Sequence, residues 1–183
     1  MSHNGENLDM CDYNTTVESI DRNGDVCKLV LKPVDVKFSD GFIVRIQTVY
    51  DFMNDGKMLI TRRVLSKSDI NAELKLQEYV KASYGFIEYP EDMKDITLYC
   101  DGEKVIEYTY RNSQYKKQGG KTVSAIIPEI TTEVELCPDN TADTVWVREG
   151  NLFSPFFTLA AEYIINQDTK EIKTWLQIKK PQA

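Results

Sequence analysis

The chain has 183 residues, 42% of them apolar and 28% charged, with a formal net charge of −7. That is enough chain to bury a sizeable core, and too acidic to hold nucleic acid or an anionic membrane through broad electrostatics. No stretch is long and apolar enough for a membrane-spanning helix, and the polar opening MSHNGENLDMCDYN lacks the apolar core of a signal peptide, so a cytoplasmic protein is expected.

Residues 1–14 read as a disordered N-terminal arm, and residues 15–183 as a single domain. Thr15 to Asp21 is a short strand that turns through Asn23-Gly24 and returns as Val26 to Lys32. Pro33 interrupts, and Val34 to Phe38 alternates again before the Ser39-Asp40-Gly41 turn. The stretch from Phe42 to Leu65 then carries two β-rich runs around Asn54-Asp55-Gly56, the strongest hairpin signal in the chain. Apolar groups lie on both faces of this hairpin, which places it near the middle of a sheet.

Ser66 to Gly85 is ambiguous. Ser68 or Asp69 could cap a helix that Gly85 ends, but Ile70, Ala72, Leu74 and Leu76 alternate strictly with polar residues, which favours a strand. Gln77 to Gly85 is then a helical turn or a loop. Phe86 to Lys94 is a loop or an edge. Asp95 to Cys100 and Val105 to Arg111 form a hairpin around Asp101-Gly102, and Asn112 to Lys121 is a flexible polar loop. Thr122 to Ile127, Ile130 to Leu136 and Thr144 to Arg148 are strands, with Glu149-Gly150-Asn151 a turn. Phe156 to Ile165 and Glu171 to Lys179 close the chain as a last hairpin. About a dozen strands with turn signals every ~8–12 residues define an all-β, antiparallel sandwich, jelly-roll or supersandwich-like, with at most one short helix.

Histidine restricts the chemistry. The sole one is His3, so a Ser-His-Asp triad, a Cys-His dyad and a His-based metal site are all excluded by composition. The four cysteines, Cys11, Cys27, Cys100 and Cys137, are widely spaced and read as reduced thiols. Gly119-Gly120-Lys121 lacks the rest of a phosphate-loop spacing. Carboxylates remain. Glu78, Glu88, Glu91, Asp92 and Asp95 are interleaved with Tyr79, Tyr84, Phe86 and Tyr89. Paired carboxylates beside aromatic rings suit glycoside chemistry, with Glu78, Glu88 and Tyr79 as the catalytic candidates, although a solvated acidic loop has the same composition. No cofactor is required, but Glu91, Asp92 and Asp95 have the oxygen chemistry for Ca²⁺. Arg62 and Arg63 are adjacent on a central strand, so they face opposite sides. One of them is either ion-paired with a glutamate of a neighbouring strand or set to bind a ligand's carboxylate or hydroxyls. Tyr84, Tyr89, Tyr108 and Trp146 are candidate stacking groups, against the commoner reading as core or cross-strand pairs.

The stretch from Phe42 to Leu76, a long strand, an Asp-Gly turn, a return strand ending in Arg62-Arg63-Val64-Leu65, then Ser66-Lys67-Ser68-Asp69 and an alternating strand, resembles the β-sandwich domains of carbohydrate-active enzymes, the mutarotase-like supersandwich in particular. The chain is shorter than a full mutarotase and lacks the histidines those enzymes use for acid–base work, so the resemblance implies a sugar-binding or accessory role. The expected function is therefore a module or small accessory subunit binding a carbohydrate-like small molecule or a larger protein subunit. The alternative is a small metal-independent lyase or isomerase acting on sugar-like substrates through carboxylates and tyrosines, and pairing through exposed edges into a homo-oligomer is a further reading.

Overall fold

The structure, a computed structural model, describes residues 1–83, 96–107, 112–127, 131–151 and 154–180. Sixteen strands lie among them, in two antiparallel sheets of the β-sandwich class. The strands are β1 (Ser2–His3), β2 (Glu6–Asn7), β3 (Val17–Asn23), β4 (Val26–Leu31), β5 (Val34–Lys37), β6 (Ile43–Met53), β7 (Lys57–Lys67) and β8 (Leu74–Ser83). They continue as β9 (Thr97–Cys100), β10 (Glu103–Glu107), β11 (Gln114–Gln118), β12 (Val123–Ile127), β13 (Thr132–Pro138), β14 (Ala142–Asn151), β15 (Ser154–Ile165) and β16 (Glu171–Lys179). One sheet runs β11-β14-β15-β8-β1-β2. The other runs β10-β9-β12-β13-β16-β7-β6-β4-β3, with β5 also on β6. The chain divides into two compact units, Met1–Gln77 with Tyr163–Trp175, and Glu78–Glu162 with Leu176–Ala183. Strands β8, β15 and β16 contribute residues to both.

The first unit is built on the β6–β7 hairpin, which is interior to its sheet, as the apolar groups on both its faces require. β6 ends at Met53 and β7 begins at Lys57, which leaves a three-residue loop, and Gly56 takes the left-handed conformation (φ 83°) that this loop needs. Val44 and Ile46 are fully buried on one face and Val49 is buried on the other. Residues 1–14, expected as an arm, instead carry β1, β2 and a 3-10 turn at Met10–Asp12. His3 supplies the reason. Its ring stacks on Phe42 (4.1 Å between centroids), meets Phe38 edge-on, and Nδ1 lies 2.8 Å from the Glu73 carbonyl. Nε2 faces Asp40 at 3.2 Å. The Phe42 backbone N–H, the Asn4 amide and His3 together hold the Asp40 carboxyl below its ordinary pKa.

The second unit centres on the fully buried Phe157 and Leu159 of β15, Val145 and Val147 of β14, and Leu136 of β13. Three local expectations differ from what forms. Gln77 to Ser83 continues β8 as a strand rather than a helical turn or loop. The polar stretch Gln114–Gln118 is strand β11, paired residue for residue with β14 from Gln114↔Arg148 to Gln118↔Thr144. Glu149 to Asn151 extends β14 instead of turning. In β11 the polar residues are tolerated because one face of that edge strand meets solvent. Cys27, Cys100 and Cys137 are free thiols. Burial raises the Cys100 thiol pKa and pushes that of Cys137 up to about 11. Among the described residues no helix is long and apolar enough to cross a membrane.

Candidate functional site

Antiparallel register sets the side chains of the first unit's candidate site. Residues directly opposite one another share a face. Thr48 on β6 opposes Arg62 on β7, Tyr50 opposes Ile60 on one side and Leu29 on the other, and Val34 on β5 opposes Ile46. Thr48, Tyr50 and Arg62 therefore present to one side of the sheet, and Leu31 continues the row from β4. Met10, Tyr13, Thr15 and Lys32 complete a cavity of about 240 Å³ with Leu31, Val34, Ile46, Thr48, Tyr50 and Arg62. This is below the usual span of drug-sized ligand pockets, about 300–1,000 Å³.

The cavity has one strongly oriented group. Arg62 Nη1 donates to the Thr48 hydroxyl oxygen at 2.5 Å, and the guanidinium carbon lies 5.9 Å from the centre of the Tyr50 ring. Thr48 is buried at 5% exposure, so the contact is sheltered from bulk water. The lining is chemically two-sided. Ile46, Leu31, Val34 and Met10 give apolar surface; Arg62, Lys32, Thr15, Tyr13 and Tyr50 give donors and acceptors.

Arg62 is the one candidate among the described residues that lines this cavity. Arg63 points to the other face, as alternation requires. Its guanidinium lies 3.4 Å from the Gln47 side-chain oxygen and 4.0 Å from Glu171 on β16, the strand beside β7, so Arg63 is paired with a neighbouring-strand glutamate. In the second unit, Glu78 follows Leu74 and Leu76 on the inward side of β8 and is buried at 5% exposure, while Tyr79 points outward at 45%. Trp146 lies on β14 opposite Lys116, whose ammonium is 5.9 Å from the indole centre. The remaining candidates, Tyr84, Glu88, Tyr89, Glu91, Asp92, Asp95 and Tyr108, lie outside the described residues. Among the described residues no cluster of three His, Cys, Asp or Glu side chains could hold a metal ion. The polar groups at the central turn are engaged locally: Asp55 with Lys57 at 2.8 Å, Asp51 with Lys28 at 3.4 Å, and Asn54 donating to Asp25 of the β3–β4 turn at 2.7 Å.

Sequence reasoning did not single out Lys32, Thr48, Tyr50 or Tyr13. One signal for Thr48 was present: counting back from the Asn54-Asp55-Gly56 loop pairs position 48 with position 62, so a hydroxyl faces an arginine.

Known structures share this fold. A Synechocystis protein superimposes with a TM-score of 0.64 at 10% identity, over 93% of this chain and 67% of that one. A galactose mutarotase-like protein from Lactobacillus casei gives 0.60 at 8% identity, over 91% of this chain and 74% of its own. Another galactose mutarotase-like protein, from Clostridium acetobutylicum, gives 0.56 at 10%, over 92% and 67%. At such identities the likeness is one of fold, and it extends the mutarotase-like resemblance from one stretch to nearly the whole chain. No protein-family model matches the chain, and no curated protein matches it.

Proposed function

We propose that this chain is a non-catalytic β-sandwich module or small accessory subunit, and that the cavity at Arg62 holds a carbohydrate-like small molecule. The observation that carries this reading is the oriented guanidinium, seated on Thr48 and Tyr50 in a cavity lined by both apolar and hydrogen-bonding groups. A sugar ring has the same duality: C–H faces that pack on aliphatic and aromatic side chains, and a rim of hydroxyls that arginine, threonine and tyrosine can engage. The volume suits one ring. The mutarotase-like neighbours support the reading at the level of fold. Free thiols at Cys27, Cys100 and Cys137 support a reducing compartment, the cytoplasm.

The test is a thermal-shift screen of the purified chain with monosaccharides and sugar acids, repeated on Arg62→Ala. Ligand binding to the native state raises the melting temperature by mass action. We expect a dose-dependent rise with one sugar class that Arg62→Ala abolishes and Arg63→Ala retains. No rise with any sugar at millimolar concentration, or a rise indifferent to Arg62→Ala, overturns the assignment.

A further inference from the structure

A second feature lies in the other unit, on the sheet path β11-β14-β15-β8. Lys116 on β11 opposes Trp146 on β14, with 5.9 Å from ammonium to ring centre. Two residues further along the same face, Arg148 opposes Gln114, and its guanidinium carbon is 5.9 Å from the centre of the Phe156 ring on β15. The same ring carries the Lys81 ammonium of β8 at 4.1 Å. Lys116, Trp146, Arg148, Phe156 and Lys81 thus form one continuous path across four neighbouring strands. Tyr79, two residues before Lys81 on its face of β8, adds a half-exposed ring.

Some cations of this acidic chain are ion-paired and others are not. Lys28, Lys57, Arg63, Lys104, Lys117, Lys173 and Lys179 each have a carboxylate within 4.0 Å. Among the described residues, Lys81, Lys116 and Arg148 have none; Arg148 is instead held in place by the neutral side-chain oxygen of Asn112, at 3.0 Å from Nε and 2.8 Å from Nη2. Trp146 Nε1 is likewise a buried donor with no acceptor. Three uncompensated cations alternate with rings, at successive strand spacings of about 4.8 Å.

We propose that this strip binds an anionic oligosaccharide, one carrying carboxylates along a chain of sugars. The cations meet the carboxylates, and the Trp146 and Tyr79 rings stack on the apolar faces of the sugars between them. A polyuronate bears one charge per sugar at most and carries stackable rings, so it fits a surface that alternates the two groups. A nucleic acid is a denser polyanion, and the net charge of −7 repels it more strongly. The strip does not depend on the Arg62 cavity.

The probe is the hexamer of galacturonic acid, titrated in low salt against a Trp175→Phe background in which Trp146 is the sole indole reporter. We expect a saturable fluorescence change that weakens as salt is added, with no change from a neutral maltohexaose at the same concentrations. Charge reversal at two exposed positions, Lys81→Glu with Lys116→Glu, is expected to lower affinity by about tenfold or more without altering the circular dichroism spectrum. Arg62→Ala leaves the titration unchanged, which separates this site from the cavity. Absence of binding by the uronate hexamer, equal binding by the charge-reversed variant, or binding of an oligothymidylate in its place overturns the proposal.

Discussion

Arg62 on β7 and Thr48 on β6 face each other directly across the central hairpin, and the 2.5 Å bond between them fixes the guanidinium on one face of the sheet. An arginine on a strand retains several rotatable bonds; a buried hydroxyl opposite it removes most of that freedom before any ligand arrives. The pair therefore acts in both stability and recognition.

Thr48→Val keeps the shape of the side chain and deletes the acceptor. Since a hydrogen bond to a charged group contributes about 1.5–3 kcal/mol, and Arg62 is only half-buried, we expect a loss of about 1–2 kcal/mol, read as a lower urea midpoint with an unchanged slope. The sugar response of the cavity should weaken in parallel. An unaltered midpoint would remove the pair from any structural role.

Asp101 governs part of the acid limb of stability. Lys117 lies 2.8 Å from one carboxylate oxygen, and the backbone N–H groups of Lys121 and Thr122 donate to the other at 2.8 and 2.9 Å. Lys117 first, then the two backbone donors, hold the carboxyl below its ordinary value, and the same contact raises Lys117. A carboxylate with a folded pKa below its unfolded value of about 3.9 stabilises the fold above that pH and loses the contribution as the pH falls through the folded value. Asp101→Asn keeps a residue that tolerates the local φ of 50° but removes the charge. Its stability should be lower at neutral pH and flatter below about pH 4 than that of the parent. Urea titrations at several pH values decide this, and parallel curves would show that Asp101 does not titrate against folding.

Gly120 is held by crowding rather than by backbone angle. A Cβ at this position would lie 2.3 Å from Cγ2 of Val145, a fully buried side chain, and 3.4 Å from the Lys117 carbonyl. Gly120→Ala forces Val145 or the chain to move, with an expected cost of about 1–3 kcal/mol. Adding Val145→Ala should recover part of that loss, because the methyl group removed is the one in the way. Fully additive costs in the double variant would place the strain elsewhere.

The hairpins and the fold class were legible in the sequence because both are local properties. Alternation with period two and the Asn54-Asp55-Gly56 loop depend on neighbouring dihedrals, so β6, β7 and the opposite facing of Arg62 and Arg63 follow from residues 42–65 alone. The polar segment 114–118 carried no such signal; it is a strand because β14 lies beside it to complete its hydrogen bonds. The first residues look disordered by composition, and they are ordered because His3 finds Phe38, Phe42 and the Glu73 carbonyl. The cavity and the cation–aromatic strip belong to the same class of feature. Each gathers side chains from separate stretches of chain: 10–15, 31–34, 46–50 and 62 for one, and 79–81, 116, 146–148 and 156 for the other. Local sequence determined the strands of the strongly alternating segments, β6 and β7 above all, and which way their side chains point. Only tertiary pairing decided which strands became neighbours, because strand order depends on contacts between residues far apart in the chain.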